Sequence, residues 1–168
     1  MSEQTAPPSE PVTQVLTPVE APVVEHHDAP ARADHQDGRP VATIVLPCFN
    51  EHEHVIAEVE RICTAMDASG IPYELLAIDD ASTDDTLRLL LDARPRFPSM
   101  RVMPFRRNGG SGTARRIGTL EARGEIVVWT DADITYPNDR IPARASILLD
   151  DPTYDQVVGA RPRQADTH

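Results

Sequence analysis

The 168-residue chain has no lysine; all 16 of its basic residues are arginine. That absence removes every mechanism needing a primary amine, including Schiff bases, Walker-type phosphate loops and receiver sites. Positive charge is scarce overall. The 27 Asp and Glu leave a formal net charge of −11, so nothing suits a phosphate backbone and no nucleic-acid partner is expected. Only two cysteines are present, Cys48 and Cys63, without CxxC spacing; they fit reduced thiols in a cytoplasmic protein. No apolar run approaches about 18 residues, and the N-terminus lacks a basic region followed by an apolar core, so neither a membrane span nor a secretory signal is expected.

Aromatic residues are rare, at 4% of the chain, and residues 1–40 have none. That stretch holds seven prolines, seven acidic residues and two arginines. It cannot bury enough apolar surface to offset the entropy of ordering, which predicts a disordered acidic Pro-rich tail over 1–40 and one folded domain over 41–168. The His26, His27 and Asp28 cluster within the tail reads as solvated rather than metal-binding.

What the rest of the chain does have is a regular alternation. Residues 41–46 form an apolar run of strand length, stopped by Pro47. Val55, Ile56, Val59, Ile62, Cys63 and Met66 then make one helical stripe, ended by Gly70 and Pro72. Residues 75–78 predict a second strand ending in Asp79 and Asp80, and residues 81–85 supply caps for a helix carrying Leu87, Leu90 and Leu91. Residues 101–105 predict a third strand, followed by a glycine-rich turn or close backbone approach over 106–112 and a short helix over 113–122. The run 125–130 predicts a strand buried on both faces, leading into Asp131-Ala132-Asp133. A helix opening at 136–138 with Ile141, Ala145, Leu148 and Leu149 on one side follows, then a fifth strand over 156–160 ending at Arg161. This alternation predicts an α/β fold, a doubly wound, mostly parallel sheet with helices on both faces and right-handed crossovers.

In such a sheet the strand carboxyl ends share one edge, so residues 47–51, Asp79 and Asp80, residues 131–133 and Arg161 are expected to line one crevice. If the chain stays extended, Asp131 and Asp133 project to the same side and share one hard cation, with Ala132 keeping the approach clear. Taken alone, two aspartates after a strand also fit a helix cap or a solvated turn. Asp80 suits the N–H groups of a base or the hydroxyls of a ribose. Mg²⁺ or Mn²⁺ at the Asp pair would hold a diphosphate that so acidic an edge otherwise repels. Arg161 is placed to pair with a phosphate oxygen.

The blocks 41–51, 78–84, 108–118 and 122–133 together resemble family 2 glycosyltransferases of GT-A, Rossmann-like fold, nearest the polyprenyl-phosphate mannose or glucose synthases. The resemblance implies that Pro47, Phe49, Glu51, Ile78 and Asp80 surround the nucleoside. It implies that Asp131 and Asp133 hold the metal, with Thr135 as a further polar ligand, Ala132 against the donor and Arg161 on donor phosphate. Asp133 is the expected catalytic residue. The implied reaction moves a sugar with inversion from a GDP- or UDP-linked donor to an acceptor, a polyprenyl phosphate at the inner face of the membrane.

In that family the chain continues past the position of Arg161, so a truncated chain with a donor half and no acceptor half is expected. The competing expectation is a catalytically silent nucleotide-sugar-binding module. Residues 131–135 also match the nucleophile motif of haloacid-dehalogenase-like phosphatases. That family places the motif on its first strand and requires a downstream lysine, which this chain lacks.

Overall fold

The computed structural model describes residues 39–151 and 153–159. All but the last two residues of the Pro-rich segment, together with Ala160 and Arg161, lie outside the described residues.

Four parallel strands form one sheet in the order β3-β2-β1-β4, with β1 Ala42–Cys48, β2 Tyr73–Asp79, β3 Met100–Pro104 and β4 Ile126–Trp129. The crossovers are α1 Val55–Ser69, α2 Thr86–Ala93 and α3 Gly110–Glu121; α4 Ile141–Asp150 follows β4. Alternate residues of each strand feed opposite faces. Ile44, Leu46, Leu75, Ala77, Met100 and Val102 pack with Val59, Ile62 and Met66 of α1, Leu90 of α2 and Ile141 of α4. On the other face, Val45, Leu76, Ile78 and Met103 pack with Ala114 and Ile117 of α3. The expected doubly wound arrangement is therefore present. Among the described residues, no helix is long and apolar enough to cross a membrane.

Local chemistry explains most boundaries. The α1 stripe is buried as its period predicts, and Gly70 ends the helix in the left-handed region at φ +70°, where a side chain would be strained. Strand β1 runs through Pro47, which was expected to stop it. Val45 O accepts a bond from Thr130 N, so this position and the alternate residue Pro47 face β4, whereas Cys48 O turns to β2 and accepts Asp80 N. The register with β4 ends at the Val45–Trp129 pair, so the N–H that proline lacks has no ladder partner to lose.

Three expectations are corrected. Strand β4 is not buried on both faces; it is the sheet edge among the described residues, with Trp129 57% exposed. The fifth strand does not form over 156–159, which has no strand pairing and leaves Val158 74% exposed. Two valines between Gln156 and Gly159 offer little apolar surface, and Gly159 instead lies against the Arg144 side chain of α4. Leu149, expected on the packed side of α4, is largely exposed.

Close approach fixes the entry to β4. A Cβ on Gly124 would stand 2.6 Å from Ala42 C and 2.7 Å from Thr43 N, both backbone atoms. Gly124→Ala is therefore expected to push β4 away from β1 and cost about 3 kcal/mol, as overpacking against atoms that cannot rotate aside does. A denaturant midpoint equal to that of the unsubstituted chain would contradict this.

Candidate active site

Every loop that leaves the carboxyl edge of β1, β2 or β4 contains one non-glycine residue with positive φ: Asn50 at 57°, Ala81 at 59° and Ile134 at 62°. For a β-branched residue such as Ile134 this is a strained conformation, and such strain concentrates where a backbone must be held for function. In the β1 and β2 loops, side chains from the neighbouring loop hold the backbone around Asn50 and Ala81. Asn50 N donates to Ser82 Oγ at 3.0 Å, Thr83 N donates to Asn50 Oδ1 at 2.8 Å, and Glu51 N donates to Thr86 Oγ1 at 2.8 Å. These bonds join the β1 and β2 loops into one rim.

Asp80 joins the next loop to that rim. Its Oδ1 accepts Gly109 N and its Oδ2 accepts Gly110 N, both at 2.7 Å, while Asn108 Nδ2 donates to its carbonyl at 3.1 Å. A carboxylate at 2% exposure thus caps α3 from a distant strand and complements the positive end of that helix. The cap explains why α3 begins at Gly110, three residues ahead of the predicted start. Asp79, beside it, accepts Ser82 N at 3.2 Å and stabilises the turn after β2.

The Asp pair occupies the opposite side. Asp131 Oδ1 accepts from Arg115 Nη2 of α3 at 2.5 Å. Asp133 Oδ1 accepts both Thr135 N, at 3.1 Å, and Thr135 Oγ1, at 2.6 Å, which orients the carboxylate. Behind the loop, Asn138 is buried and bridges three partners: it accepts from Thr130 Oγ1 and donates to Glu58 Oε2 of α1 and to Asp131 O. Glu58 is fully buried, and its Oε1 lies 3.3 Å from Arg61 Nη1, close enough to pair but without hydrogen-bond alignment.

Together these loops enclose an open cleft of about 180 Å³ lined by Pro47, Cys48, Phe49, Glu51, Asp80, Ser111, Asp131, Ala132 and Asp133. Seven residues expected at the site from sequence meet there: Pro47, Phe49, Glu51, Asp80, Asp131, Ala132 and Asp133. Thr135 reaches the site through Asp133. Ile78 does not line the cleft; it is wholly buried under α3. Arg161 lies outside the described residues. The segment 109–115, which carries Ser111 and Arg115, reads from sequence as a loop packing near the nucleotide or as a structural turn, with no individual role for either residue; Glu58 and Asn138 were not expected at the site. Glu58 had a signal, since it falls on the buried face of α1 between Val55 and Ile62.

The field in the cleft is negative. Burial raises the Glu51 carboxyl above its ordinary value, and the charges of Asp133, Asp84 and Asp131 raise it further against the opposing effect of His54. That field and two hard oxygen donors at one lip fit a divalent cation. Among the described residues no group of three His, Cys, Asp or Glu forms a metal cage, so a bound cation would complete its shell with oxygens from ligand or water, the habit of Mg²⁺.

Nearby, His52 lies ahead of α1 and pairs with Asp84 through Nδ1 at 2.8 Å. Burial pushes the Asp84 carboxyl up, but the hydroxyl and N–H of Thr86 and the ring and N–H of His52 outweigh it and hold the group at about 2, from an ordinary 3.8. A carboxylate depressed on folding stabilises above its unfolded value and loses that contribution as pH falls through the folded one. Asp84→Asn is therefore expected to flatten the fall in stability between about pH 4 and pH 2, measured by urea melts at stepped pH; parallel curves for both chains would refute it.

Residues 43–167 match the family described as Glycosyl transferase family 2. Among solved structures, the mannosyltransferase PcManGT from Pyrobaculum calidifontis, in complex with GDP-Man and Mn²⁺, superposes with a TM-score of 0.58 and 29% identity over 68% of this chain and 34% of its own. TarS 1-349 from S. aureus gives 0.54 and 26%, over 65% and 32%. Glucosyl-3-phosphoglycerate synthase from M. tuberculosis gives 0.50 and 26%, over 68% and 42%. The chain spans about a third of the length of the first two. Its parallel sheet and helices have the GT-A architecture of these neighbours, and with three-quarters of its length inside the family match, the chain belongs to Glycosyl transferase family 2.

Proposed function

We propose that the cleft binds a nucleoside-diphosphate sugar with Mg²⁺ or Mn²⁺, as the donor site of a glycosyltransferase. The observation that carries this reading is the convergence of seven residues from three strand ends on one acidic cleft inside the family match. Pro47, Phe49 and Glu51 form the wall for the nucleoside. Asp80, while capping α3, keeps lone pairs on both oxygens for a base N–H or a ribose hydroxyl. Asp131 and Asp133, the latter oriented by Thr135, are the metal ligands, with Asp133 assigned as the catalytic residue and Ala132 leaving room for the donor. Arg161 is assigned to donor phosphate. A bound divalent cation would supply Lewis-acid stabilisation of the departing diphosphate.

PcManGT in complex with GDP-Man and Mn²⁺ supports a guanosine-linked donor, and the UDP complex of TarS 1-349 is the uridine counterpart. Pockets that enclose a whole small ligand run roughly 300–1,000 Å³. The present cleft, at about 180 Å³, grips part of the donor and leaves the sugar at its open side. The proposed acceptor is a polyprenyl phosphate, which places the working protein in the cytoplasm at the inner membrane face. The second reading is a catalytically silent nucleotide-sugar-binding module, which the same cleft would serve.

Calorimetry with Mn²⁺ and a panel of GDP- and UDP-sugars tests the site: saturable, metal-dependent binding of at least one donor is expected, and no binding to any would refute it. Metal-dependent donor hydrolysis, lost in Asp131→Ala, separates a transferase from a silent binding module.

A further inference from the structure

The geometry points to Arg115 as an electrostatic gate on the Asp131–Asp133 pair, a positioning residue that makes divalent-cation binding depend on the nucleoside diphosphate. The inference rests on the donor-site reading above and adds an order of assembly to it. Arg115 lies one turn after Ser111 on α3, so both project from the same helix face, and Ser111 lines the cleft. Its guanidinium meets Asp131 at a single Nη2–Oδ1 contact of 2.5 Å, with both side chains about 30% exposed. A guanidinium can instead grip a carboxylate with two parallel bonds.

The Nε–H of Arg115 is buried and has no hydrogen-bond partner. Buried donors are rarely left unpaired, so the contact with Asp131 is an incompletely satisfied arrangement, able to change when another acceptor arrives. The charge balance gives the direction. Arg115 cancels one of the two negative charges of the Asp pair and occupies one oxygen of the first ligand. A dication entering alone meets a weakened site and a fixed positive neighbour. A diphosphate supplies negative charge and acceptor oxygens to cation and guanidinium together, so each should bind better with the other present.

The test is Mn²⁺ binding to the full chain, followed by the electron paramagnetic resonance signal of free Mn²⁺, with and without GDP or UDP. The unsubstituted chain should bind Mn²⁺ weakly alone and more tightly with the nucleoside diphosphate. Arg115→Gln should bind Mn²⁺ alone about tenfold more tightly, the scale of removing one partly screened neighbouring charge, and should lose a similar factor of coupling. Arg115→Lys, which keeps the charge, should retain the wild-type pattern.

A purely structural role predicts the opposite sign, since disturbing Asp131 weakens metal binding; Arg115→Gln binding Mn²⁺ alone no more tightly than wild type overturns the gate. If that variant fails to fold by circular dichroism, the unsubstituted chain decides, because equal Mn²⁺ affinity with and without nucleoside diphosphate overturns it too. Absence of Mn²⁺ binding under both conditions overturns the donor-site reading itself, and the gate with it.

Discussion

Asp131→Ala is expected to weaken Mn²⁺-dependent donor binding by about 100-fold or more, since loss of even an outer partner of a metal ligand costs roughly 10–100-fold. The fold should survive the change. The Asp131 side chain is partly exposed at the cleft, and the turn carrying it is held through its own carbonyl by Asn138. Asp139→Ala serves as control, because that carboxylate is exposed and pairs with its neighbour Arg140. Calorimetry on chains with unchanged circular dichroism gives the comparison. An affinity for Asp131→Ala equal to that of the control would remove the Asp pair from the site.

A large effect on stability is also expected behind the cleft. Asn138→Ala removes the group that accepts from Thr130 and donates to Glu58. Glu58 is left fully buried with only the unaligned contact to Arg61. An uncompensated buried charge and an orphaned hydroxyl together cost about 3 kcal/mol, which lowers Tm by roughly 10 °C for a domain of this size. Donor affinity should also fall well below Tm, because the bond from Asn138 to Asp131 O is lost and the Asp loop is no longer tied to α1. A Tm and an affinity both unchanged would show that the network does not hold the loop.

The sequence made some of this legible, and the reason differs from element to element. Helix α1 could be read because its apolar stripe repeats at 3.6 residues and Gly70 supplies a left-handed stop. The shared edge of residues 47–51, Asp80 and 131–133 followed from strand direction alone, and the structure places these segments around one cleft. What failed depended on partners distant in sequence. The start of α3 is set by Asp80, a cap 29 and 30 residues away from Gly109 and Gly110. Pro47 looked like a strand end because its missing N–H matters only if a neighbour is present to accept it, and β4 has already stopped.

The exposure of β4 was equally invisible locally, since an apolar run does not state which of its edges is paired. Ile78 was expected at the nucleoside by resemblance, yet its side chain turns into the core under α3. Arg115 closes the glycine-rich segment 109–115, but its pairing with Asp131 emerges only when helix and Asp loop come together. Local periodicity thus revealed the scaffold and the approximate position of the acids, while the contacts that orient those acids required the fold.

The most direct measurement is paramagnetic broadening of backbone amide signals on adding Mn²⁺ and a nucleoside diphosphate to the isotopically labelled chain. Signals from residues 48–51, Asp80 and 131–133 are expected to broaden together, because in the proposed site the three strand ends would share one metal and one diphosphate. Broadening confined to other acidic surfaces, or to only one of these segments, would show that the strand ends do not form a common donor site.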